Sequence, residues 1–215
     1  MVSELKLNGM ESMKYDQVYN EDFKDAISHG ILVSNLATML SKELGLKSSD
    51  CYEMAEAGMV HDIGKLKLGE YLYGRRSDTL KIEEMKYVRL HPKLGHDILQ
   101  NQHTYTETIL KSIYHHHENF DGSGYPDNLS GNAIPYGARI LRTCDVFAAL
   151  VTERPYRAAF GIEAAIELMI DEVKNFDMKI FLGFLRMVHD KNFEQIKSYI
   201  QEVNYKEIGK FSQNV

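Results

Sequence analysis

The chain of 215 residues holds two cysteines, Cys51 and Cys144. They are far apart and form no C-x-x-C pair, which argues against a disulfide framework. No stretch approaches about 18 consecutive apolar residues, so no membrane span is expected. Met1 to Asn20 alternates charged and apolar residues and lacks the apolar core of a secretory signal. The chain therefore reads as cytoplasmic. Basic residues are not in excess either, the net charge being −6. A broad electrostatic attraction to DNA or an anionic membrane is not the expected mode. An anionic substrate would instead need a local positive site, made of metal ions or a few arginines. Repeats, low-complexity tracts and dividing linkers are missing, as is an evident sensory or receiver domain. Regulation would then come from partner proteins, the redox state of a metal, or the N-terminal segment.

What remains is an ordinary globular composition, 44% hydrophobic and 26% charged, sufficient for a core without staples. Periodicity predicts one domain over 21–215, preceded by a short arm or helix over 1–20. Phe23, Ile27, Val33, Leu36, Ala37, Leu40 and Leu44 form a helical stripe with Gly45 as its stop. Asp50 with Glu53 suggests the capped start of a second helix, which Gly64 should end. A helix over 79–90 stops before Pro92, because proline disfavours helical geometry in the residue before it. Pro92 opens the next helix, with His91 at its start. Thr104-x-x-Glu107 has the form of a capping box ahead of Ile109, Leu110 and Ile113. Pro135 begins a helix carrying Ile140, Leu141, Val146, Phe147 and Leu150, and further helices are expected over 162–174, 178–190 and 193–202. No segment reads as sheet. The fold class is all-α.

One stretch stands apart, His115-His116-His117 running into Glu118 to Pro135. Its glycines and prolines carry little periodicity, and a loop of this length inside a compact domain is usually functional or disordered. Phe120, Tyr125, Leu129 and Ile134 supply anchors, which favours an ordered loop. Other candidates are modest singly. Asp25 and His29 share a helix face, as a surface contact or as ligands. His61-Asp62 is either a buried histidine bonded to its neighbour or a ligand pair. Asp145 falls within an apolar stripe, where an unpaired carboxylate is costly; Arg142 three residues earlier or a metal would satisfy it. His96 and His103 read as surface or packing residues. Together, imidazoles and carboxylates without thiolates suit iron, manganese or zinc, and carboxylates can bridge two ions. A two-metal site clamps an in-line displacement at phosphorus and acidifies the attacking water.

The sequence resembles the HD-GYP subgroup of HD-domain phosphohydrolases. The matching pieces are His61-Asp62-Ile63-Gly64-Lys65, His91-Pro92-x-x-Gly95 and His116-His117-Glu118-x-x-Asp121-Gly122-x-Gly124-Tyr125-Pro126. Ala138-Arg139-Ile140-Leu141, Cys144-Asp145-Val146-Phe147 and Arg154-Pro155-Tyr156-Arg157 complete the set. The resemblance implies an HD-domain helical bundle with an extended glycine-rich loop. It implies metal ligation by His29, His61, Asp62, His91, His116, His117 and Asp145, with Asp62 as bridge. Lys65 matches a lysine that meets the scissile phosphate, and Tyr125, Arg154 and Arg157 match positions that contact cyclic di-GMP. The expected cofactors are two divalent ions, iron or manganese, with zinc as an option. Asp25 stands where members with a third metal carry glutamate, so it is the candidate third-metal ligand. Glu118 is expected to bond a ligand histidine from behind, and His115 to flank the pair. The implied activity is hydrolysis of cyclic di-GMP to pGpG, with a second cleavage to GMP left as an option. Rival readings are an HD-domain nucleotide phosphohydrolase of other specificity and a cyclic-dinucleotide sensor or adaptor.

Overall fold

The structure, a computed structural model, describes the backbone of residues 2–68, 86–154 and 157–211 and the side chains of 23–68, 86–154 and 157–205. The expected loop over 71–78 and most of the helix over 79–90 lie outside the described residues. Residues 86–88 are helical and 89–90 form a turn.

Helix α1 (Val2–Glu43) runs without a break through residue 20. Its apolar face is buried from Leu32 through Val33, Leu36 and Ala37 to Leu40, spacings of three and four that keep side chains on one face. Phe23 and Ile27, expected in the same stripe, are exposed at 45% and 37%. Gly45, at φ 76°, turns the chain into α2 (Ser48–Val60). The two helices pack closely. A Cβ on Gly58 would meet the Ser34 backbone at 2.8 Å, and the Ser34 hydroxyl donates to the Ala55 carbonyl at 2.7 Å.

A 3-10 segment (Ile63–Leu68) follows, then α3 (His91–Gln100), α4 (Glu107–Tyr114) and α5 (Tyr136–Val151). Helices α6 (Ile162–Asp171), α7 (Met178–Val188) and α8 (Glu194–Phe211) close the chain. Among the described residues there is no strand, only an isolated bridge between Arg154 and Arg157. The architecture is all-α.

Helix α5 is the central element. It packs on α1, α4, α6 and α7 and buries Ala138, Ile140, Leu141, Cys144, Phe147, Ala148 and Val151. The Phe147 ring meets Phe184 of α7 edge-on at 5.0 Å and Phe193 at 6.2 Å. Burying a side chain of that size contributes about 1.5–3 kcal/mol. This apolar floor anchors α5 and so positions its one buried carboxylate, Asp145.

Several boundaries differ from expectation. Helix α2 begins at Ser48 and has no side-chain cap, so Asp50 and Glu53 do not form the predicted start. The cap of α4 is Thr106, whose side chain accepts from the Ile109 N–H, two residues after the expected Thr104. The hydroxyl of Thr106 reaches the third residue of the helix, which makes Glu107 its first residue rather than the far member of a capping box. Helix α2 stops at Val60, before Gly64. Helix α6 yields to a 3-10 turn (Val173–Asn175), because Asp177 caps the next helix through the N–H groups of Lys179 and Ile180.

Candidate metal centre

The site forms where helix ends converge on α5. His61 and Asp62 follow the end of α2, His91 starts α3, and His115 is the C-cap of α4 with His116 and His117 just beyond. His29 comes from α1 and Asp145 from the middle of α5. Gly64 permits this convergence. A Cβ there would overlap the His91 carbonyl and crowd the Gly95 N–H, so the residue serves a close approach and not a helix end.

Seven side chains gather in two groups. Asp62, His91, His116 and His117 each offer a ligand atom within 4.8 Å of the others, and so do His29, His61 and Asp145. Asp62 joins the two. Its Oδ1 lies 3.2 Å from His91 Nε2, and its Oδ2 lies 3.4 Å from His61 Nε2. Asp145 Oδ1 is 3.0 Å from His29 Nε2 and 3.6 Å from His61 Nε2.

Main-chain carbonyls decide which ring nitrogen faces inward. The Nδ1 atoms of His61, His91 and His116 donate to Gly58, Val88 and Ile113 at 2.8, 2.7 and 2.6 Å. A neutral imidazole that donates from Nδ1 carries a lone pair at Nε2. His91 Nε2 lies 3.2 Å from His116 Nε2 and 3.1 Å from His117 Nε2. Opposed lone pairs at that spacing repel unless a cation lies between them. His61 Nε2 and Asp62 Oδ1 are also buried without a hydrogen-bond partner. Unsatisfied buried acceptors aimed at common points fit a pair of divalent cations, and the nitrogen and oxygen donor set fits first-row metals.

The electrostatics agree with a cation site. Burial lowers the His91 pKa to about 4. Burial, joined by the neighbouring rings, holds His116 and His117 well below the ordinary histidine range. Burial also lowers His29, against the pull of Asp145. For His61 burial acts the same way, but Asp62 and Asp145 outweigh it and leave the value raised. Burial works to raise Asp62, yet Lys65, His61 and His91 hold its carboxyl well below the usual range. Asp145 is likewise held down, against burial, by its hydrogen bond with His29 and by the nearby His61 ring. Both acids are anions beside mostly neutral imidazoles.

Lys65 Nζ pairs with Asp62 Oδ2 at 2.5 Å, one turn along the 3-10 segment. The Tyr125 ring stacks on His117 at 4.8 Å and 21°, placing the glycine-rich loop as a lip over the first group. Arg154 lies close enough to His29 to lower its pKa. The Arg157 guanidinium donates to the carbonyls of Ala149, Leu150 and Ala158 and lies over Phe160, so it caps the C-terminal end of α5. Asp25 is exposed one turn before His29 and belongs to neither ligand group.

Glu118 departs from expectation. It is 2% exposed, and its carboxylate accepts from the N–H groups of Asp127 and Leu129 at 2.7 and 3.1 Å. It ties down the loop instead of bonding a ligand histidine. The ring facing it is His115, whose Nδ1 stands 3.8 Å away; His115 is in neither ligand group. Asp145 is not paired with Arg142, whose Nε donates to Asn119. Sequence reading also passed over Arg89, which lies over the outer face of Tyr125 at 5.3 Å. Its only signal was a position two residues before His91. His96 packs edge-on against Tyr114, and His103 is exposed.

Known proteins resemble this chain in sequence and fold. The HD domain family matches residues 8–180. The chain is 35% identical over 135 residues to the cyclic di-GMP phosphodiesterase response regulator RpfG of Xanthomonas campestris, covering 62% of this chain and 35% of that protein. It is 32% identical over 141 residues to the 3'3'-cGAMP-specific phosphodiesterase 3 of Vibrio cholerae, covering 66% and 30%. The chain thus spans about a third of the length of these curated relatives. An HDG"Y"P protein of Bdellovibrio bacteriovorus superposes with a TM-score of 0.63 at 19% identity, over 77% of this chain and 53% of that one. That likeness shows the same fold. The helical scaffold, the convergent histidines and the family match together lead to one conclusion: the chain belongs to the HD-domain family.

Proposed function

We propose that the protein is a metal-dependent phosphodiesterase that hydrolyses cyclic di-GMP to pGpG, with a second cleavage to GMP as an option. The observation that carries this reading is Asp62, whose two oxygens face two adjoining ligand groups. His91, His116 and His117 would hold one ion and His29, His61 and Asp145 the other, with Asp62 between them. Such ions, when bound, acidify a water and neutralise phosphate charge. Iron or manganese suits the donor set, zinc being the alternative, and Asp25 is the candidate ligand for a third ion.

The chain's own residues would do the rest. Lys65, already paired with Asp62, brings positive charge to the scissile phosphate. Tyr125, stacked on His117, forms a lip that orients the substrate and keeps water from the reacting face. Arg154 and Arg157 are assigned to substrate contact; the guanidinium of Arg157 would do so from its seat on the end of α5. The main-chain bonds at Nδ1 of His61, His91 and His116 hold the imidazoles in register, so that little reorganisation is needed.

Cyclic GMP-AMP is a second substrate of the same chemical class, supported by the named specificity of the Vibrio relative. The assigned setting is cytoplasmic, with residues 1–20 as an arm or helix on a domain spanning 21–215 and with signalling proteins as partners. No helix among the described residues is long and apolar enough to cross a membrane.

The test is protein purified without oxygen, loaded separately with Fe, Mn or Zn, and offered cyclic di-GMP, cyclic GMP-AMP and mononucleotides. Release of pGpG with metal bound is the expected result. Metal-loaded protein that binds a cyclic dinucleotide without cleaving it would make the chain a sensor. Turnover of mononucleotides alone would assign another HD-domain specificity.

A further inference from the structure

Among the described residues, Arg142 is a partly buried cation that forms no ion pair with a carboxylate. Its only hydrogen bond among the described residues runs from Nε to Asn119 Oδ1 at 3.0 Å. Asp145, on the same face three residues later, bonds His29 and lies close to His61, and no carboxylate pairs with the guanidinium. Both Nη atoms thus lack a protein acceptor among the described residues. They are not among the buried unpartnered atoms either, so they reach solvent. A charge removed from water without a partner is costly. Burial accordingly pulls the Arg142 pKa below the usual guanidinium value, with Asp145 and Tyr125 opposing.

That cation stands beside the candidate metal centre. Arg142 is near enough to act on His117 and Tyr125, which form the stacked wall of the first ligand group. Its orientation is also prepared. Asn119 Nδ2 donates to Ser123 Oγ at 2.9 Å, and that hydroxyl donates to Asp121 Oδ1 at 2.6 Å. This chain of bonds within the glycine-rich loop holds Asn119 so that its oxygen receives Nε, which leaves the Nη groups without a protein acceptor among the described residues. A fork of N–H donors with one side fixed suits a phosphate oxygen. Of the other nearby cations, Lys65 is engaged by Asp62 and Arg89 lies over the Tyr125 ring.

We propose that Arg142 is a substrate-binding residue whose Nη edge takes a nonbridging phosphate oxygen of the cyclic dinucleotide. The proposal rests on the phosphodiesterase reading above, and Asn119 serves as its positioning residue. The nucleotide therefore enters between the Tyr125 lip and α5, with phosphate toward Arg142.

The test compares parent, Arg142→Gln, Arg142→Lys and Asn119→Ala, all metal-loaded. It measures metal content, KM and kcat for cyclic di-GMP, and the affinity for inorganic phosphate. Arg142→Gln should raise KM and weaken phosphate binding by about ten- to a hundredfold, the worth of a charge-assisted hydrogen bond. Metal content should match the parent. Arg142→Lys should recover part of the loss, and Asn119→Ala should raise KM by a smaller factor with kcat little changed. Unchanged KM and phosphate affinity in Arg142→Gln would overturn the proposal, as would loss of metal in both Arg142→Lys and Asn119→Ala with normal phosphate binding per metal site. If the parent turns over no cyclic dinucleotide but Arg142→Gln still weakens phosphate binding, the phosphodiesterase reading falls and the anion-binding role of Arg142 stands.

Discussion

The Nε2 atoms of His91 and His116 face each other at 3.2 Å, while the Nδ1 atom of each ring donates to a main-chain carbonyl. Two neutral imidazoles cannot both donate across that gap, so the contact becomes favourable with a cation. The same argument extends to His61 Nε2 and Asp62 Oδ1, buried and unpartnered. Four predictions follow from this geometry and its supports.

Asp62→Ala removes the carboxylate that faces both groups. Metal content should fall, and cyclic di-GMP hydrolysis should drop by about a thousandfold or more, the worth of several kcal/mol of metal-supplied stabilisation. Elemental analysis and product chromatography check this. A variant that keeps both its metal and its activity would remove Asp62 from the bridging role.

The metal-free protein should lose stability on acidification. His29, His91, His116 and His117 have lowered values in the fold, His91 at about 4. The unfolded chain therefore takes up protons first as pH falls below about 6.5. Their contribution is complete above that pH and is lost toward pH 4, at up to about 1.4 kcal/mol per unit for each histidine. His61, with its raised value, acts in the opposite sense, but it is one ring against four. Urea midpoints at pH 7.5 and pH 5 should show the decline, and a higher midpoint at pH 5 would contradict it. Divalent metal at a hundred times its dissociation constant should add about 2.7 kcal/mol at neutral pH.

Gly64→Ala places a methyl group against the His91 carbonyl. Neither backbone can yield without displacing a ligand, so the variant should lose about 1–3 kcal/mol or more of stability and bind metal more weakly. Thermal melts with and without metal would show both effects. A fully stable, metal-replete variant would mean that the 3-10 segment and α3 can separate freely.

Glu118→Ala leaves the N–H groups of Asp127 and Leu129 without their acceptor. The expected cost is about 2–3 kcal/mol, with faster proteolysis inside residues 120–130 and metal content retained. Loss of metal with an intact loop would restore the expectation that Glu118 supports a ligand histidine.

Much of this architecture was legible in the residues themselves. The all-α class follows from stripes at three and four residue spacings, as in Leu36, Ala37 and Leu40. The residues gathered around the centre are those that the motifs single out: His61, Asp62, His91, His116 and His117 stand at or beside helix ends, while His29 and Asp145 lie within α1 and α5. Boundaries were less legible. Thr104 and Thr106 offer the same hydroxyl chemistry, and only the path of the chain into α4 selects Thr106. Gly64 carries the signal of a helix stop, and its real constraint is a carbonyl from another helix.

The roles of charged side chains were the least legible, since a sequence lists partners without distances. Arg142 and Asp145 have the spacing of an ion pair, yet packing of α1 and α2 delivers His29 and His61 to the carboxylate first. Glu118 adjoins the ligand pair in sequence, but its side chain turns into the loop, where two N–H groups need an acceptor. By itself, then, the sequence determined the helical class, the family and the set of imidazoles and carboxylates, because these depend on local periodicity and residue chemistry. Only the tertiary structure decided which nitrogen faces the centre, which two groups Asp62 joins and that Arg142 meets Asn119 and no carboxylate among the described residues. Those depend on contacts between helices distant along the chain, at distances set by the packing of α1, α2 and α5.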